Sequence, residues 1–98
     1  MAESGIRLTA RRRFGQFLVT KPVAVEIDGA PAGEALWGRP QFFAADAASH
    51  QLTVSFHYLG KKRTGEATLN IDVVADQTVE VGYRSPWVLT SKGSLTIG

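Results

Sequence analysis

The chain has 98 residues, with eleven Lys and Arg, nine Asp and Glu, ten Gly and no Cys. That length holds one domain with one modest core, and the lack of cysteine excludes disulfides, thiolate metal centres and a Cys nucleophile. Apolar residues at 44% and charged residues at 20% fit a globular chain, while a net charge of +2 and a pI near 9.3 flag a polyanion as a candidate partner.

Residues 1–5 are polar and are expected to form a flexible N-terminus before a single domain over 6–98. Ile6, Leu8 and Ala10 alternate with Arg7, Thr9 and Arg11, the pattern of a half-buried strand. The run Arg11-Arg12-Arg13 follows directly. Val23, Val25 and Ile27 make a second strand, closed by Asp28-Gly29, a dipeptide that favours a tight hairpin turn. From Ala30 to Ala48 the pattern is broken by Pro31, Gly33, Gly38 and Pro40. Within this stretch Glu34–Trp37 is read as a short strand crossing between sheets. Of the adjacent Phe42 and Phe43, one faces the core and the other a sheet edge. Ala44–Ala48 is the one candidate helical turn, and it is too short to be stable alone.

Leu52, Val54, Phe56 and Tyr58 alternate with Thr53, Ser55 and His57 in the clearest strand of the chain. Gly60–Gly65 reads as a polar loop that presents Lys61-Lys62-Arg63. Ala67, Leu69, Ile71 and Val73 form the next strand, Ala75–Gln77 a tight connection, and Val79, Val81 and Tyr83 a further strand. Ser91-Lys92-Gly93 suits the turn of a closing hairpin that runs from Trp87 to Ile97. Short strands at this spacing predict an all-β fold, a single antiparallel β-sandwich of six to eight strands of immunoglobulin-like or PEGA-like type. Its core is expected to hold Leu8, Val23, Val25, Ile27, Leu52, Val54, Phe56, Leu69, Ile71, Val73, Val79 and Val81.

Residue types that carry chemistry are sparse. His50 and His57 are the only histidines, and an offset of seven puts them on opposite faces of one strand, about 20 Å apart. There is no GxSxG elbow, no GxGxxG or GxxxxGK loop, and no metal-ligand spacing. The expectation is therefore a protein that is not an enzyme and uses no cofactor and no metal. Two basic triplets remain as a candidate polyanion-binding set: Arg11, Arg12, Arg13 and Lys61, Lys62, Arg63. Basic residues at strand ends also protect sheet edges and aid solvation, so the triplets count only if the fold brings them together. Trp87 is a candidate interaction anchor or a plug for one end of the sandwich.

Exposed strand edges recruit extended partners. The leading functional expectation is thus a non-catalytic protein-interaction module, with an unknown partner or self-association through a strand edge. Binding of a nucleic acid or anionic surface through the triplets ranks second. No signal peptide and no apolar run of about 20 residues is present, which predicts a soluble chain, cytoplasmic by default.

The chain carries two resemblances. Lys21-Pro-Val-Ala-Val-Glu-Ile-Asp-Gly-Ala-Pro-Ala-Gly33 resembles the opening of PEGA-type β-sandwich repeats, where a strand ends in an (I/V)DG turn. Trp37-Gly-Arg39, the strand from His50 to Leu59, Asp76-Gln-Thr-Val-Glu80, Tyr83-Arg-Ser-Pro-Trp87 and Ser91-Lys-Gly-Ser-Leu95 look like a group of uncharacterised actinobacterial β-sandwich proteins. The chain departs from that group's pattern at Asp76, where Gly is usual. The resemblance implies a β-sandwich and an accessory role in a larger bacterial assembly, and it supplies no activity. The Trp-Gly-Arg element has a physical reading: Trp37 buried as a core plug, with Arg39 laid on an aromatic face or paired with a carboxylate.

Overall fold

The computed structural model describes residues 4–11, 22–58, 61–84 and 93–97, and for residues 57, 58 and 61–64 the strand path alone. Eight strands occur in chain order: β1 Gly5–Arg11, β2 Val23–Ile27, β3 Ala30–Ala35, β4 Gln41–Ala44, β5 Ser49–Tyr58, β6 Lys61–Asp72, β7 Thr78–Arg84 and β8 Ser94–Ile97. They form two four-stranded sheets, in the order β4-β1-β7-β8 and β3-β2-β5-β6. This is the β-sandwich that the alternation predicts, at the upper end of the expected strand count.

The core lies between the sheets. Ile6, Leu8 and Ala10 of β1, Val81 and Tyr83 of β7 and Phe43 of β4 face Val23 and Val25 of β2, Leu52, Val54 and Phe56 of β5, and Ala67 and Ile71 of β6. Nine of the twelve expected core residues are buried. Ile27, Leu69 and Val79 pack against that core from partly exposed positions. Burial of one such aliphatic or aromatic side chain stabilises by about 1.5–3 kcal/mol, so this cluster is what makes the sandwich stable at all.

Several local features follow from sequence chemistry. The Asp28-Gly29 turn joins β2 to β3 in a two-residue hairpin with φ of 55° and 80°, the left-handed values that a primed turn requires. β3 is almost wholly exposed and carries Pro31, which an edge strand tolerates because its outer amide row is unpaired. The chain crosses between sheets just after β3. Trp37 bridges to Ala10 of the other sheet, and the Gly38 amide donates to the Ala10 carbonyl at 2.7 Å. Phe43 is buried while Phe42 lies outward over Gly5, as expected of the adjacent pair.

Four expectations are corrected. First, β1 and β7 pair in parallel, with Gly5 opposite Thr78 through Arg11 opposite Arg84. The other strand pairs are antiparallel. Second, Lys61-Lys62-Arg63 lies inside β6 and not in a loop. β6 accommodates these residues through two register shifts against β5, at Val54/Phe56 and Phe56/Tyr58, and each puts an extra residue on β6. Bulges of this kind interrupt the period of two, which is why the segment reads as a loop. Third, β1 starts at Gly5, and Ser4 is tied to both neighbouring connections. Its hydroxyl accepts from the Asp76 amide at 2.9 Å and its carbonyl from Ala45. Fourth, Ala44–Ala48 forms the end of β4 and a bend, without a helical turn.

Candidate functional site

The two ends of the sandwich differ in chemistry. At one end β1, β5 and β7 terminate while β2, β6 and β8 begin. Trp37 plugs the core here. Its ring meets Phe56 edge-on at 5.6 Å between centroids and Tyr83 at 6.1 Å. Tyr83 sits opposite Ala10 in β1 and donates its hydroxyl to the Gly65 carbonyl of β6 at 2.5 Å, which joins the two sheets. Burial pushes the Tyr83 phenol above its usual range, so it stays a neutral donor. The Gly65 carbonyl also accepts from the Gly93 amide at 3.1 Å. The half-buried Trp37 thus has the plug role expected of it. Arg39 is exposed, and among the described residues neither an aromatic face nor a carboxylate holds it.

This seam decides where Arg11 and the Lys61–Arg63 run lie. Arg11 closes β1 one residue beyond Ala10, and Lys61–Arg63 open β6 just before Thr64 and Gly65. Both therefore stand at the plugged end, one on each sheet. Arg12, Arg13 and Trp87 lie outside the described residues. Arg84 joins the set: it is exposed and directly opposite Arg11 in the parallel register. A lone Arg at a strand end carries no signal in the sequence, because its neighbour across the sheet is not visible there. Adjacent strands run about 4.8 Å apart, so two like charges face each other with no carboxylate between them among the described residues. Two rungs along the same face the situation is different, since Arg7 donates to the Glu80 carboxylate through Nε at 2.7 Å and through Nη2 as well. That contact raises the Arg7 pKa and holds Glu80 below its usual range. Glu34, next to the last residue of β3, and Glu66, beside Gly65 in β6, also stand toward this end.

The opposite end carries Asp28, Asp46, Asp72 and Asp76, all exposed, in or beside short connections. His50 is the organising residue there. Its Nδ1 donates to Asp28 at 2.6 Å and its Nε2 to the Asp46 carbonyl at 2.8 Å. Both partners are acceptors, so the geometry is fully satisfied only by the imidazolium. The Asp28 bond, followed by the Asp46 carbonyl bond, raises the His50 pKa. Asp28 is held below its usual range, first by the Gln51 amide at 2.8 Å and then by His50. No group of three metal-ligating side chains occurs among the described residues. The His57 side chain lies outside them.

The strand edges expected to recruit a partner are built unevenly. β4 and β8 have four residues each, β3 contains Pro31, and β6 is long but bulged. Short, proline-bearing and bulged edges are the usual protection against strand addition. No helix among the described residues is long and apolar enough to cross a membrane. No family model, curated protein or solved structure matches the chain, so the geometry itself carries the functional reading.

Proposed function

We propose that the protein is a non-catalytic binding module whose plugged end takes a polyanion, a nucleic acid or an anionic surface. One observation carries this reading: the Tyr83–Gly65 seam places Arg11 with Arg84 and the start of β6 at the same end of the sandwich. Arg11, Arg39 and Arg84 are exposed there, while the exposed aspartates cluster at the far end of a molecule about 39 Å long. Such separation makes a directional field that steers a polyanion to one end. The protected edges give less support to recruitment of a peptide strand.

The test is a titration with single-stranded and duplex oligonucleotides and with anionic vesicles, read by anisotropy and by co-sedimentation. At low salt at least one ligand binds, and its affinity falls steeply as salt rises. For DNA, three to five neutralised phosphates give a log–log slope of about −3 to −5. Replacing Lys61, Lys62 and Arg63 together by Gln reduces that slope by about two to three. Absence of binding to every ligand at low salt, where the electrostatic attraction is strongest, overturns the proposal.

A further inference from the structure

The outward face of the β4-β1-β7-β8 sheet is not flat near the basic end. An open depression of about 500 Å³ lies over β1, β7 and β8. Its floor is Gly82, which has no side chain and stands in register with Thr9 on one side and Thr96 on the other. The next rung toward the plugged end is Arg11, Arg84 and Ser94. On the other side the depression is bounded by Glu80, whose carboxylate is already taken by Arg7. Two guanidinium groups without a described carboxylate partner thus border a cup whose sides carry three hydroxyls. The one acid in its lining is neutralised.

We propose that this cup is a seat for a tetrahedral oxyanion, the phosphate or sulfate group of an ester. Arg11 and Arg84 supply planar forks that suit oxyanion oxygens, and charge-assisted bonds of this kind are about twice as strong as neutral ones. An anion placed between them also relieves the facing of two like charges on neighbouring strands. Thr9, Thr96 and Ser94 add hydroxyl donors from both flanks. Five donor side chains exceed what a planar carboxylate can use from one side, and they match the oxygens of a tetrahedral group. Gly82 is the specificity element, because any side chain there fills the floor. This inference rests on the polyanion reading for its biological setting and shares Arg11 and Arg84 with it, while Thr9, Gly82, Ser94 and Thr96 belong to the seat alone.

The probes are inorganic phosphate and inorganic sulfate, with chloride at matched ionic strength as control, followed through backbone amide resonances. Phosphate or sulfate produces saturable shifts at Thr9, Gly82, Arg84 and Thr96, and chloride does not. Gly82→Val keeps the fold, because an added Cβ meets only the Thr96 hydroxyl at an ordinary 3.5 Å, and β-branched residues suit strands. That variant weakens phosphate binding at least tenfold. Arg84→Gln weakens it about tenfold, whereas Asp76→Asn, at the exposed far end, leaves it unchanged. Equal, non-saturating shifts with chloride and phosphate overturn the seat, as does a Gly82→Val protein that binds phosphate like the parent. Saturable phosphate binding in a protein that binds no oligonucleotide and no anionic vesicle supports the seat and refutes the polyanion reading.

Discussion

Gly65→Ala is the sharpest test of how the plugged end is held together. Gly65 has φ of +62°, and a Cβ built there would overlap Phe56 Cε1 and stand 2.8 Å from the Tyr83 hydroxyl. Both rings are fully buried, at 0% and 1% exposure, so neither can turn outward to make room. Two costs therefore add. An L-residue held in the left-handed region costs about 1–2 kcal/mol. Overpacking a fixed core costs about 1–3 kcal/mol. The reduced freedom of the unfolded chain returns about 0.4–1 kcal/mol. The net expectation is a loss of about 2–4 kcal/mol, which for a domain of this size lowers the melting temperature by about 10–25 °C. Urea unfolding followed by far-UV circular dichroism gives the free energy, with the slope checked for constancy. Gly82→Ala is the control, since the same substitution in an open strand position is neutral or stabilises by about 0.5–1 kcal/mol. A Gly65→Ala protein within about 0.5 kcal/mol of the parent would refute the close packing of Phe56, Tyr83 and Gly65, because overpacking and backbone strain have no other way to vanish together.

Three further outcomes follow from the same structure. Tyr83→Phe removes the buried hydroxyl that donates to the Gly65 carbonyl at 2.5 Å, and it costs about 1 kcal/mol in thermal unfolding while leaving the fold intact. Phe56→Ala empties the centre of the core, costs about 3–5 kcal/mol in urea unfolding, and exposes Trp37 to solvent with a red shift of its emission. His50 gives a pH signature. Its pKa is raised, so its stabilising bonds are fully present below its ordinary value of 6.5 and are lost as pH rises through the raised folded-state value. The Asp28 pKa is lowered, so its share is present above 3.8 and is lost as pH falls through the depressed value. The melting temperature is therefore higher at mildly acidic than at mildly alkaline pH, and His50→Gln abolishes that difference. An unchanged pH profile in His50→Gln would show that the Asp28 and Asp46 contacts do not act as a clamp.

The parts of the fold visible in the sequence are those where one face is buried and the other wet. β1, β2, β5 and β7 alternate cleanly because their inward residues meet the opposite sheet and their outward residues meet water. β3 and β4 were harder to read because edge strands need little apolar alternation. β3 buries only Ala35 and relies on its pairing with β2. The start of β6 was hidden for another reason. Two bulges reset the phase of the side chains, so Lys61–Gly65 matches no strand template although its backbone pairs with β5. The site follows the same division. Arg11 stood out because it belongs to a run of charge. Arg84 and Gly82 did not, because their importance comes from the parallel pairing of β1 with β7, a contact between residues more than seventy positions apart. No local pattern encodes such a pairing. The one trace in the sequence is that Arg11 and Arg84 each close the outward phase of their own strand.

The same pairing explains why the two ends can differ without cost to the core. A parallel β1–β7 pair sets the last residues of both strands side by side, so two outward arginines add their charge at one end, whereas an antiparallel pair would set them at opposite ends. The inward residues at those positions, Ala10 and Tyr83, are then free to close the core against Trp37, and the Tyr83 hydroxyl carries that closure across to Gly65. At the far end the tight Asp28-Gly29 turn and the Ala45–Ala48 bend are fixed by His50, which holds one carboxylate and one carbonyl from two separate connections. The acidic end is therefore built for rigidity, with its hydrogen bonds turned inward to its own turns. The basic end keeps Arg11, Arg39 and Arg84 exposed and without described carboxylate partners. Binding free energy is available from charges that the fold itself has not used, and among the described side chains Arg11, Arg39 and Arg84 are the cations of that kind.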